Sequence, residues 1–369
     1  MKKISALLLC LVLVIGLVTG CGNKKETEPT TTTDPTVAPT TAAVDPTEAP
    51  AATEVPVATV ATAKTGLAVI TSLAKSTNAG DEDGLAEVDS TIIAVLVGQD
   101  GKILDCKLDA LQTKVNFSKE GKLLTDLATP FITKQELGTG YGMTKASAIG
   151  KEWNEQATAF ANYCIGKTVD EVKGIALTDE GVAADADLAG SVSVHLGDFI
   201  AAVDKAVTNA QELGAVEGDQ LGLGVVSDIA KSKDASADGD GLAQAYTYYT
   251  ASTFGADGKV TSCVIDASQG NVNFSTAGVI TTDLAVAPQT KQELKEAYGM
   301  KKASAIGKEW YEEANAFAAY ATGKTVDEVK GIALTDEGLA ADADLAASVT
   351  VHVGSFMSII EKASVSAAQ

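Results

Sequence analysis

Sliding the chain along itself by 157 residues places Gly84 on Gly241 and continues without a gap for about 120 residues. Whatever fold the first stretch adopts, the second must be able to adopt. Over 144–197 against 301–354, 43 of 54 positions are identical. A period this long exceeds any solenoid unit, so each copy is expected to own a core, and the second copy to be stable alone. The 369 residues accommodate two ordinary domains and a tail.

Each copy opens with β-prone runs. Gly66–Ile70 and Gly222–Val226 are short strands followed by acidic, glycine-rich turns at Asp81–Gly84 and Asp238–Gly241. Thr91–Val97 and Lys102–Leu108 then flank Gly98-Gln99-Asp100-Gly101, and an Asp-Gly between two β-prone runs signals a hairpin. Val115-Asn116-Phe117 and Val272-Asn273-Phe274 read as a further strand, giving an antiparallel sheet of three to five strands per copy. The second part of each copy is helical. Ala146, Ile149, Trp153, Ala157, Phe160 and Cys164 recur at three- and four-residue steps, which predicts one helix covering a sheet face. Gly166 ends it, a short helix follows at Val169–Lys173, and a Val-rich stretch from Ser191 to Leu196 precedes a last helix from Asp198 to about Asn209. Strands followed by helices indicate an α+β fold, two tandem duplicated domains at 64–210 and 216–364.

Ahead of them, Met1-Lys2-Lys3 and the nearly unbroken apolar run Ile4–Val18 read as a secretory signal over 1–20, too short to span a bilayer. The run ends in Val18-Thr19-Gly20-Cys21, which resembles the lipobox of bacterial lipoproteins. That resemblance implies an acylated Cys21 anchored in membrane lipid on the extracytoplasmic face. Residues 21–63 are rich in Thr, Pro, Ala and Glu, without aromatic residues or periodicity, and read as a disordered stalk.

Charge and residue usage exclude several functions. Forty-nine acidic residues against 28 basic ones give a net charge of −21, which repels nucleic acid. Cys10 and Cys21 fall in the leader and processing site, so the remaining three cysteines do not form a disulfide framework, and the domains are expected to fold without one. Cys106 and Cys263 occupy matching places in the copies and read as half-buried core thiols, whereas Cys164 is matched by Ala321. The acidic loop Asp234–Asp240 lacks the twelfth-position carboxylate of a calcium loop, since Ala245 stands there. His195 and His352 read as strand residues without a nucleophile motif, and neither a phosphate loop nor HExxH occurs. Tyr246, Tyr248 and Tyr249 in the second copy could stack on a ligand, or simply favour a strand.

One constellation remains. Asp187-Leu188-Ala189-Gly190-Ser191-Val192-Ser193, followed by the helical stretch Phe199–Ala206, resembles the closing segment of the bacterial FMN-binding domain family of flavin-carrying surface lipoproteins. In that family an Asp precedes a small-residue run ending in Thr, and a flavin transferase esterifies that hydroxyl through the phosphate of FMN. The strand–Asp-Gly-Lys–strand units at Asp100-Gly101-Lys102 and Asp257-Gly258-Lys259 are similar as well. By position, the resemblance implies FMN attachment at Ser193 and Thr350, with upstream acids at Asp187 and Asp344. It also implies a flavin transferase and redox partners, and an electron carrier rather than an enzyme by itself, because the flavin supplies the redox step. The rival expectation is a non-enzymatic surface binding or spacer module that presents two acidic domains to a peptide, glycan or wall polymer.

Overall fold

A computed structural model describes residues 60–369. The signal segment, Cys21 and the stalk up to residue 59 lie outside the described residues. Among the described residues, no helix is long and apolar enough to cross a membrane.

The fold is α+β. Strands β1 (Lys64–Ser72), β2 (Gly84–Val97) and β3 (Ile103–Phe117) form one antiparallel sheet in that order, and β4 (Gln220–Asp228), β5 (Gly241–Phe254) and β6 (Val260–Phe274) form a second. Val115–Phe117 is the end of β3 rather than a further strand, so each sheet has three strands. The reason lies in β2, which is 14 residues long and stays paired from Gly84 to Val97, leaving β3 no cause to break. The hairpin turn forms as the sequence predicts, with Gly101 at φ 80°.

Helices follow each sheet. The first half carries α1 (Lys134–Leu137), α2 (Trp153–Cys164), α3 (Val169–Lys173), α4 (Ala186–Ala189) and α5 (Gly197–Thr208). The second half carries α6 (Lys291–Leu294), α7 (Trp310–Ala321), α8 (Val326–Lys330), α9 (Ala343–Ala346) and α10 (Gly354–Ala367). The predicted helix from Ala146 starts only at Trp153. Gly150 adopts φ 65°, which ends any helical run, and Glu152 with Glu155 builds a capping box that starts a new one. The Val-rich stretch around His195 and His352 is not a strand. It runs as irregular chain with Val192 and Leu196 buried and both His exposed, because no neighbouring strand offers it an edge.

Each sheet is buried on both faces. Ile93, Val95, Cys106 and Leu108 face their own helices, packing on Trp153, Phe160 and Phe199. The opposite face meets the other sheet: Leu67, Val69, Ile92 and Leu96 cluster with Leu223, Val225 and Tyr249. At the far end Val88, Val115 and Phe117 pack on Val272 and Phe274, whose ring stacks on Phe117 at 4.2 Å between centroids. The layers are therefore helix, sheet, sheet, helix. Thr65 and Ser262 join hydroxyls at 2.5 Å across the sheet interface. Tyr249 reaches Ser90 at 3.4 Å and Ser268 at 2.8 Å. Ala63, which the sequence reading put at the end of the stalk, is buried and donates its N–H to the Ala215 carbonyl. Each half thus has a core of its own and shares two further clusters with the other half, which argues against the expectation that the second copy is stable alone.

Candidate functional site

The hydroxyls singled out by sequence sit where α4 and α9 run into the irregular segment. Asp185 and Asp342 cap those short helices, leaving Asp187 and Asp344 exposed in the first turn. Ser193 is half-buried; its N–H and its hydroxyl donate to Oε1 of Gln156 at 2.7 and 3.2 Å. Thr350 is held the same way by Glu313. Its N–H donates at 2.6 Å, its hydroxyl lies 3.0 and 3.1 Å from the two carboxylate oxygens, and Val351 N–H and the Ser304 hydroxyl complete the set.

These partners decide how well an attached phosphate would fit. Gln156 and Glu313 are both fully buried on the sheet-facing stripe of α2 and α7. An esterified Thr350 would lose the proton it donates and place a phosphate charge against the Glu313 carboxylate, so the second half does not fit the group. Gln156 is neutral, and its amide already donates to the Ser147 hydroxyl and the Lys151 carbonyl, so Ser193 fits better. Esterification at Ser193 would cost one hydrogen bond and no charge repulsion from Gln156.

The tyrosines of β5 do not form an open platform. Tyr249 is fully buried between the sheets, while Tyr246 and Tyr248 stack on each other at 4.6 Å under the helices. They help to cage Lys291, a lysine only 2% exposed, whose ammonium hydrogen-bonds the Tyr246 hydroxyl and lies over the rings of Tyr298 and Trp310 at 4.2 and 4.8 Å. Burial lowers its pKa to about 7, opposed only by the charge of Asp266. The acidic loop is also occupied. Asp234 accepts from Leu123 N–H at 2.8 Å and pairs with Lys122, tying the halves together, and those bonds hold its pKa below the usual carboxylate value. No group of three metal-ligating side chains occurs among the described residues.

What sequence reasoning missed are two clefts between the halves. The larger, about 880 Å³, lies between the free edge of β1 and the free edge of β6, with α5 on one wall and α6 and α7 on the other. The smaller, about 560 Å³, lies between β3 and β4 and is built from the matching elements. Each is spanned by an ion pair between halves, Lys205–Glu293 in the larger and Lys362–Glu136 in the smaller, both at 2.6 Å.

The edge backbone in these clefts is covered by side chains rather than by another strand. Thr65 exchanges both backbone bonds with Gln211, so the two-residue alternation aims Leu67 and Val69 at the same outer edge. Lys205 Nζ donates to the Val69 carbonyl at 2.6 Å and Asn209 Nδ2 to that of Leu67 at 3.2 Å. Across the larger cleft Gln292 Nε2 donates to the Ile265 carbonyl at 2.9 Å; in the smaller, Gln135 does the same for Leu108 at 2.9 Å. Beside them sit Asp266 and Asp109, whose carboxyls burial raises to about 6 and about 7, against hydrogen bonds from Thr290 and Gln292 or Thr133 and Gln135. Edge carbonyls, three in the larger cleft and one in the smaller, amide side chains and a carboxyl raised towards neutrality make each cleft a hydrogen-bonding trough. A sequence signal existed only for its parts: Lys-Gln-Glu-Leu recurs at 134–137 and 291–294, with nothing local to say that each copy faces the other half.

No protein-family profile matches the chain, and no solved structure matches it. A chlorophenol reductase of Desulfitobacterium hafniense is 50% identical over 42 residues, which is 11% of this chain and 13% of that protein. The stretch shared with that relative is a fragment of either molecule.

Proposed function

We propose that the chain is a surface-displayed binding protein, anchored in membrane lipid through acylated Cys21, that takes extended peptide segments in the two clefts between its halves. The halves are read as copies of one duplicated unit, which explains why the clefts come as a pair. The observation that carries the reading is the dressing of the cleft edges: outward carbonyls at Leu67, Val69, Ile265 and Leu108 are held by the side chains of Asn209, Lys205, Gln292 and Gln135. Such side chains protect an edge from unwanted pairing, yet they swing aside at small cost when a peptide backbone replaces their bonds. A binding role rather than a chemical one accords with the absence of a nucleophile motif in the sequence.

The test is to select binders from a displayed library of random peptides on the immobilised full chain, then fill the clefts. Asn315→Trp plugs the larger cleft and Thr158→Trp the smaller, both from exposed positions on the walls. Selected peptides should lose affinity at least tenfold to the double variant; unchanged affinity would sink the proposal.

A second reading is favoured by one contact, the neutral Gln156 behind Ser193. Here the first half carries FMN as a phosphoester on Ser193, near Asp187, and passes electrons between membrane redox partners. Bound FMN would supply the redox chemistry; Gln156 would orient the serine through its backbone N–H. Co-expression with a flavin transferase, followed by visible absorption and intact mass, decides it. A yellow protein one FMN phosphoester heavier supports this reading, and a colourless one at its unmodified mass removes it.

A further inference from the structure

The two halves solve the same packing problem around a buried thiol in different ways. In the second half Cys263 lies opposite Ser252 on β5, and its sulfur is 3.4 Å from the Ser252 hydroxyl and 3.5 Å from that of Thr250. Two hydroxyls therefore satisfy it, and Ala321, the last residue of α7, shares its core cluster. In the first half the matching β2 positions are Val95 and Ile93, which offer the Cys106 sulfur nothing polar. Its polar neighbour is instead Cys164, the last residue of α2, in the same core cluster.

Backbone bonds fix that neighbour in place. Gly166 N–H donates to the Ile103 carbonyl at 2.8 Å and Ile103 N–H to the Lys167 carbonyl at 2.9 Å, so the end of α2 is stitched to the start of β3. Lys167 N–H closes the turn on the Cys164 carbonyl at 3.1 Å. Cys106 and Cys164 are both buried and both free thiols in this structure, and the hydrogen bond between them, ahead of burial, pushes the Cys106 thiol well above its ordinary pKa. A thiol held that way stays protonated, so it is neither an exposed nucleophile nor a metal ligand.

We propose that Cys106 and Cys164 are the two ends of an intramolecular disulfide that staples β3 to α2 in the first half, while Cys263 stays a reduced core thiol. The bond forms during folding, before burial closes over the pair. One cysteine thiolate attacks an external disulfide, releasing one thiol; the second thiolate attacks the mixed disulfide, releasing the other. Two cysteine thiols are oxidised, one external disulfide is reduced to two thiols, and the two cysteine protons end on them. The inference rests on the extracytoplasmic reading only for where it happens, since an oxidising compartment supplies that disulfide. It departs from the sequence expectation of a disulfide-free fold.

The experiment uses the full chain in two preparations: exported to the cell envelope and blocked with iodoacetamide on lysis, and refolded from the reduced state in glutathione redox buffer. Peptide mass spectrometry then reads Cys106, Cys164 and Cys263 before and after reduction. The staple predicts Cys263 alkylated at once under denaturant, and Cys106 and Cys164 only after reduction. Cys164→Ala copies the residue the second half uses, so it should fold, and it should free Cys106 for alkylation without reductant. Reduction should lower the Tm of the parent by on the order of 5 °C and leave that of Cys164→Ala unmoved. A bond that forms in glutathione buffer but not in exported protein supports the pair and counts against the extracytoplasmic reading. Alkylation of all three cysteines without reductant in both preparations overturns the staple.

Discussion

Lys134 and Lys291 open identical Lys-Gln-Glu-Leu helices, yet one is half-exposed and the other is sealed in an aromatic cage. Around Lys134 only Tyr141 and Trp153 approach, at 4.7 and 5.2 Å, because β2 carries Asp89 and Thr91 where β5 carries Tyr246 and Tyr248. Asp89 is engaged elsewhere, with Lys75. Gln156 and Glu313 differ in the same manner, a neutral amide in one half and a carboxyl in the other, each anchoring the same backbone N–H. The lesson is that the frame comes from what the halves share. Capping boxes at Thr133 and Thr290, and at Thr168 and Thr325, fix the helix starts, and the side chains inside are then free to diverge.

The most drastic way to break the comparison is to separate the halves. Residues 216–369 alone would expose Leu223, Val225, Tyr249, Val272 and Phe274, all buried against the first half. Sedimentation and circular dichroism should find the fragment aggregated, or paired with a second copy through that face, rather than folded as a monomer. Next in size, Phe274→Ala removes half of the stacked pair with Phe117 and should cost about 3–5 kcal/mol in chemical denaturation. A smaller loss, about 1–3 kcal/mol, is expected from Gln156→Glu, which puts a carboxylate against the Lys151 carbonyl where an amide N–H now donates. Glu313→Gln should fall in the same range, because it weakens a set of bonds from Ser304, Thr350 and Val351.

The subtlest contrast is in pH. The folded pKa of Lys291 is lowered to about 7 from 10.5, so between those values the unfolded chain holds a proton that the folded one lacks. Stability should therefore rise with pH across that window, by at most about 1.4 kcal/mol per unit. Lys291→Met should flatten the slope. The carboxyls act in the opposite sense. Asp109 and Asp266, raised to about 7 and about 6 from 3.8, keep their protons longer in the folded state, so their contribution is complete near pH 4 and fades as pH rises through those values. Thermal melts of Asp109→Asn against the parent from pH 4 to 8 measure that share.

Strands, hairpin turns and the later helices were legible because their signals are local: alternation, an Asp-Gly turn, a Thr cap three residues before Glu. The pairing of the sheets was not. Its trace was the run from Ile92 to Val97, apolar on both faces, which marks a strand covered on two sides but does not say by what. Ser193 and Thr350 could be picked out from a short motif, whereas their buried partners Gln156 and Glu313 lie a helix away and read as ordinary polar residues on an apolar stripe. The clefts escaped entirely, since each wall comes from a different half and no periodicity spans that distance.

Zero-length carbodiimide cross-linking tests the meeting of the halves most directly. Lys205–Glu293 and Lys362–Glu136 bridge the clefts, and Lys173–Asp204 and Lys330–Glu361 lie within single halves at 3.3 and 2.5 Å as internal standards. Peptide mass spectrometry of the cross-linked monomer should recover both bridging pairs at yields comparable to the standards. Recovery of the standards without the bridges would contradict the sheet-on-sheet body and the clefts along its edges.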